Sequence, residues 1–236
     1  MSRKFIATSS QFLELGSAVL TAVPITMACW AKATALTGGM MNLGTPGGSK
    51  HSFNMSIETA DGTLKVEASG NTSADAFSTT PVIAGAWTHC CGVFASATSR
   101  SAYVNGGSKG TNTTSKTPNA PTSTLIGAHY AAVRDEFFGG NLAEVAIWNA
   151  ALTDGEVKAL ALGTRPIFIR PMSLVAYWPL RRNFAPEIDV RHSGTNLMAV
   201  TGALSVPNNP PAVFYPRRKR YFIPPADDIL MGAIIM

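Results

Sequence analysis

The chain has 236 residues, 46% of them hydrophobic and only 14% charged, with a formal net charge of +5. That length suits one large domain with a sizeable core. Part of the positive charge sits in Arg217, Arg218, Lys219 and Arg220 and the remainder is close to neutral, which argues against a broad nucleic-acid-binding surface, and no apolar run is long enough for a membrane-spanning helix.

In chain order, Phe5 to Leu15 reads as a first strand. Ser9, Ser10, Gln11 and Glu14 interrupt it too often for the apolar core of a signal peptide. PITMACWAKA (24–33) reads as a second strand, with Trp30 on the same face as Thr26 and Lys32. Residues 38–50 are loop-rich at both ends. Residues 51–59 and 63–68 form a predicted hairpin around Asp61-Gly62, a strong turn signal. Residues 69–81 and 108–123 are rich in Ser, Thr, Asn and Pro and read as long loops, the places on a rigid scaffold where binding usually sits.

GAWTHCCGVF (85–94) reads as a strand that places Cys90 and Cys91 on opposite faces. With Cys29 they make three cysteines, which is neither a disulfide framework nor a C-x-x-C metal pattern. Buried thiols in a reducing cytoplasm are the expectation. His51, His89, His129 and His192 are scattered and lack metal spacing.

The most structured pattern is GGNLAEVAIWNAALTDGEVKAL (139–160). Leu142, Glu144, Ala146 and Trp148 alternate with Ala143, Val145 and Ile147, a strand period. Thr153 and Glu156 then supply a T-x-x-E capping box, and Val157, Leu160 and Ala161 an apolar helix face. Gly163 and Pro166 stop the helix. SLVAYWPL (173–180) reads as a further strand.

From 205 onward the composition changes. Six prolines, at 207, 210, 211, 216, 224 and 225, remove donors and predict an extended arm over 205–236. It carries Phe214, Tyr215, Tyr221, Phe222, Ile229 and Leu230 around the Arg217, Arg218, Lys219 and Arg220 run. Apolar groups on an extended arm call for a partner surface, either the chain's own sandwich or, the favoured reading, a neighbouring subunit rather than nucleic acid, so these ten residues are the expected assembly interface. The division is therefore a sandwich over 1–204 and an arm over 205–236.

Laid in order, PITMACWAKA, GAWTHCCGVF, SAYVNGG (101–107), TLIGA (124–128) and FFGGNLAEVAIWNAAL (137–152) resemble the laminin-G-like, concanavalin-A-like jelly roll, of the kind also found in phage-encoded structural proteins. The resemblance covers about 5–165. It implies an all-β, two-sheet antiparallel jelly-roll sandwich with one short helix, here followed by the extended arm. Glucanases of this type carry E-x-D-x-(x)-E on one strand. This chain offers only Glu144 there, with Asp135 and Glu136 in the preceding loop, so catalysis is not expected. The resemblance also implies a rim calcium site. Its D-E-V segment is Ala143-Glu144-Val145 here, which removes one carboxylate and leaves Asn141, Asp135 and Asp75 as oxygen donors. That departure weakens the calcium reading, and no cofactor is expected.

Two functional readings follow. The first is a non-enzymatic virion component, a capsid decoration or a tail or fibre protein. It would assemble in the host cytoplasm as a homo-oligomer and dock on other virion subunits through the arm. The second is a carbohydrate-binding module at a cell surface or on a virion, with Trp30 and, in a predicted loop, His129 and Tyr130 as the candidate glycan-binding residues. Neither needs a membrane or nucleic-acid partner.

Overall fold

Strand periodicity organises the chain. The computed structural model describes residues 1–47, 51–130, 133–192 and 194–211. Its first strands are β1 (Ser2–Phe5), β2 (Phe12–Leu15), β3 (Ile25–Ala33), β4 (Gly38–Gly44), β5 (Ser52–Ile57), β6 (Thr63–Ser69) and β7 (Ser73–Pro81). Then come β8 (Thr88–Ser96), β9 (Ser99–Val104), β10 (Gly107–Asn112), β11 (Ser123–Ile126), β12 (His129–Tyr130), β13 (Arg134–Asp135) and β14 (Gly140–Trp148). The helix α1 (Asp154–Ala161) precedes β15 (Leu174–Trp178), β16 (Ala199–Thr201) and β17 (Leu204–Val206).

The strands form two antiparallel sheets. The first runs β10-β9-β8-β3-β14-β1-β17, with β15 also on β14. The second runs β16-β2-β11-β4-β5-β6-β7. β12 and β13 pair as a separate short hairpin. The expected all-β jelly-roll sandwich with a short helix is what the described residues form. Residues 212–236, which hold Phe214, Tyr215, Arg217, Arg218, Lys219, Arg220, Tyr221, Phe222, Ile229 and Leu230, lie outside them. β17 pairs with β1 across the expected boundary at 204.

Alternation produces two cores. Met27 and Cys29 of β3, Cys90 of β8 and Val145 of β14 meet Met55 and Val66 of the second sheet in the inner core. The opposite face of the first sheet buries Ala28, Cys91, Tyr103 and Trp148 against Val157 and Leu160 of α1. The cysteine pair therefore straddles the first sheet, as period two requires. All three thiols are free and buried, and burial pushes Cys90 up to about 12. The capping box forms at α1: Glu156 N–H donates to Thr153 Oγ1 at 3.3 Å, and Thr153 N–H to Glu156 Oε2 at 2.8 Å.

Five local readings change. Phe5 to Leu15 is two strands, not one: β1 lies in the first sheet and β2 in the second. A 3-10 turn at Ala7–Ser9 and a left-handed Ser10 (φ 50°) redirect the chain between them. Within 69–81, Ser73–Pro81 is a strand, because Ala74, Ala76 and Ser78 turn inward at period two. Within 108–123, the edge strand β10 extends to Asn112. The alternation in 142–148 breaks at Glu144 (φ 53°), where the register to β3 shifts between Ala143 and Ala146. This bulge puts Leu142, Val145 and Ile147 in the inner core and Ala146 and Trp148 in the outer one. Finally, His129 and Tyr130 are buried strand residues, not loop.

Candidate functional site

The second sheet turns an unusually polar face outward. On β6, Leu64, Val66 and Ala68 point into the inner core, so Lys65, Glu67 and Ser69 point away from it. Asp75 on β7 lies directly opposite Glu67. On the next two strands Asn54 and Asn42 are almost fully buried, at 0% and 1% exposure. Three of their side-chain amide atoms lack a hydrogen-bond partner.

The β12–β13 hairpin supplies one wall above this floor. Tyr130 donates its hydroxyl to Glu14, and Arg134 Nη2 lies 2.6 Å from the other Glu14 oxygen while stacking on Phe12 at 4.8 Å. Burial and then Glu14 push the Tyr130 phenol up to about 12, so it stays a donor. Glu136, just beyond, accepts Gly39 N–H at its backbone oxygen (2.6 Å). Gly38 makes this approach feasible. Its φ is +105°, and a Cβ there would stand 2.7 Å from the Phe137 carbonyl oxygen.

Between hairpin and sheet lies a cleft of about 300 Å³, lined by Lys65, Glu67, Asp75, His129, Glu136 and the 69–73 turn. That volume is at the low end of small-molecule sites, roughly 300–1,000 Å³. Lys65 Nζ lies 3.4 Å from Glu67 and 3.7 Å from Glu58. Burial opposes its charge, but Glu67, Glu136, Glu58 and Asp75 together hold its ammonium above the usual range. Burial, then repulsion from Glu67, raises the Asp75 carboxyl. Asp75 Oδ2 accepts Ser73 Oγ at 3.1 Å, while Oδ1 is buried without a partner. His129 is 5% exposed. Its Nδ1 lies 3.2 Å from Asp135 Oδ1, and its Nε2 is buried without a partner.

Of the sequence candidates, His129 and Asp75 meet in this cleft, and Asp135 orients His129. Tyr130 anchors the wall. Trp30 stands elsewhere: it is 6% exposed, packs edge-on against His89, 5.4 Å between ring centroids, and lines a small cavity with Ala28 and with Leu160 of α1. Glu144 is buried beside them, its two oxygens taken by the Tyr177 hydroxyl and the Arg181 guanidinium. Asn141, in the first sheet, bonds Ser2 and Asn208 and so joins neither Asp75 nor Asp135. Among the described residues no group of three or more His, Cys, Asp or Glu is placed to hold a metal ion. The sequence reading missed Lys65 and Glu67 and weighed Glu136 only as a catalytic carboxylate. The alternation in TLKVEAS does turn Lys65 and Glu67 outward, but nothing local says that a hairpin from 129–135 will roof that face.

Comparison with known proteins agrees with this architecture. A family model described as "Concanavalin A-like lectin/glucanases superfamily" matches residues 7–158. No sequence among the curated proteins matches. The fold is similar to the native heptameric SAP-like pentraxin from Limulus polyphemus (TM-score 0.59, 18% identity, 86% of this chain and 94% of that one). It is also similar to the enzymatically active domain of tailspike protein 2 of bacteriophage CBA120 (TM-score 0.53, 16% identity, 76% and 31%). A third similar structure is the CBM40 of the Ruminococcus gnavus IT-sialidase bound to α2,3-sialyllactose (TM-score 0.51, 13% identity, 68% and 97%). With a two-sheet jelly roll in place and 7–158 matched, the chain belongs to the concanavalin A-like lectin/glucanases superfamily.

Proposed function

We propose that this protein is a non-enzymatic recognition module that takes a glycan into the cleft between β6–β7 and the β12–β13 hairpin. The observation that carries this reading is the buried pair of unpartnered atoms, Asp75 Oδ1 and His129 Nε2, on one open polar cavity. Buried polar atoms without partners are costly, and a hydroxyl-rich ligand would satisfy both. The R. gnavus module of this fold, captured with sialyllactose, is in keeping with such a role. Glu144 is the only carboxylate on β14, and both its oxygens are engaged, which supports binding over hydrolysis. The test is a glycan array with wild type, Asp75→Ala and His129→Ala. Wild type should bind and both variants should lose the signal. A wild-type blank on every glycan would sink the reading, and hydrolysis of the bound glycan would overturn its non-enzymatic part.

A second reading, compatible with the first, makes the protein a virion component attached to neighbouring subunits through its C-terminal arm. It is favoured by the start of that segment. β17 closes the edge of the first sheet on β1, and Asn208 bonds both Trp87 (3.3 Å) and Asn141 (3.4 Å). The described start of the segment is therefore held against the first sheet as far as Asn208. A phage tailspike shares the fold. Removing 212–236 should leave a folded sandwich, read by circular dichroism, that no longer enters particles. Normal incorporation of the truncated protein would refute the docking role.

A further inference from the structure

The charged groups of the cleft are carboxylates but for one. Glu67, Asp75 and Glu136 face one ammonium, that of Lys65. Glu67 and Asp75 are a directly opposed cross-strand pair of like sign, an arrangement that is destabilising unless a cation intervenes. Lys65 serves Glu67 and Glu58 and leaves Asp75 Oδ1 without a partner. The tautomer of His129 that donates its Nδ1 proton to Asp135 leaves Nε2 as one more acceptor, on a ring more than nine-tenths buried that lines the same cavity. An acceptor-lined pocket selects a ligand rich in donors.

We propose that the cleft selects an amino sugar, a hexose whose free primary ammonium lies among Glu67, Asp75 and Glu136 and whose hydroxyls reach His129 and the 69–73 turn. This rests on the glycan reading and narrows it. An ammonium brings three donors and a positive charge; N-acetylation leaves one donor and no charge. A carboxylate-bearing sugar would be repelled by the same three side chains. Hydrogen bonds to charged groups contribute about 1.5–3 kcal/mol, so loss of the charge should be felt as roughly tenfold or more in affinity.

Titration calorimetry on the whole chain with glucosamine oligomers, their N-acetylated counterparts and glucuronate tests this. The expected order is deacetylated tighter than acetylated by at least tenfold, with no binding of glucuronate. Asp75→Asn should cut binding of the deacetylated oligomer about tenfold and leave the Tm near wild type. Lys65→Met, which removes the competing ammonium, should tighten binding. Equal affinity for both oligomers would overturn the selectivity while leaving glycan binding in place. Failure of all three probes to bind would overturn the amino-sugar assignment, and only a blank glycan array beside it would overturn the glycan reading as well. Spermidine binding as tightly as the amino sugar, or calcium alone binding in an Asp75-dependent way, would overturn the assignment to an amino sugar.

Discussion

Arg3 Nη2 lies 2.6 Å from Glu187 Oε2, with both side chains sealed from solvent at 2% and 1% exposure. Arg3 also donates to the Ala203 and Arg182 carbonyl oxygens at 2.7 and 2.9 Å. One guanidinium thus ties the first strand to the segment after β15. Burial keeps the Glu187 carboxyl above its usual range even beside Arg3. The pair is better understood as a fastening between chain ends than as a large source of stability.

Removing one partner should therefore be worse than removing both. Arg3→Met strands a buried carboxylate and should lower stability by about 3–5 kcal/mol. The double variant Arg3→Met with Glu187→Leu should recover much of that loss. Urea denaturation of the two variants checks it; a double variant as unstable as the single would contradict the assignment.

His89 is fully buried, and desolvation lowers its imidazole from 6.5 to about 3. Between those values the unfolded chain binds the proton and the folded chain does not, so stability should fall as pH drops from about 6.5 toward 3. The expected slope is about 1.4 kcal/mol per pH unit for this one group. His89→Phe should flatten that part of the profile, as measured by chemical denaturation at a series of pH values.

Thr153→Ala should remove the side-chain half of the α1 capping box, for a loss of about 1 kcal/mol. Thr153→Ser should retain it. Because α1 closes the outer core through Val157 and Leu160, the loss should be seen in global unfolding rather than in local fraying.

Glu144→Ala should cost about 1–3 kcal/mol by leaving the buried Tyr177 hydroxyl without its acceptor. Glu144→Gln should be intermediate. Since Glu144 stands in the first sheet and the cleft in the second, glycan affinity should be unchanged in both variants. A specific loss of binding without loss of Tm would move the functional site to the Glu144 side.

Much of the scaffold was legible because it is written in local periods. The Asp61-Gly62 hairpin, the opposed faces of Cys90 and Cys91, the strand at 174–178 and the Thr153–Glu156 box all follow from spacings of two and three residues. β7 escaped notice because its inward residues, Ala74, Ala76 and Ser78, are small and its composition resembles loop. The bulge at Glu144 inverted a clear alternation, since a single left-handed residue swaps every later side chain to the other face.

By itself the sequence determined the strand periods, the capped helix and, in an alternation that was missed as a site, the polar outward face of β6, because pattern and capping are properties of neighbouring residues. Tertiary structure alone decided what that face became. It brought the paired strands β12 and β13 beside β6–β7, set Asp75 against Glu67 and placed His129 at the cleft. It likewise buried Trp30 against His89 and engaged both oxygens of Glu144. Those outcomes depend on which strands become neighbours, a matter of long-range pairing that no local period encodes.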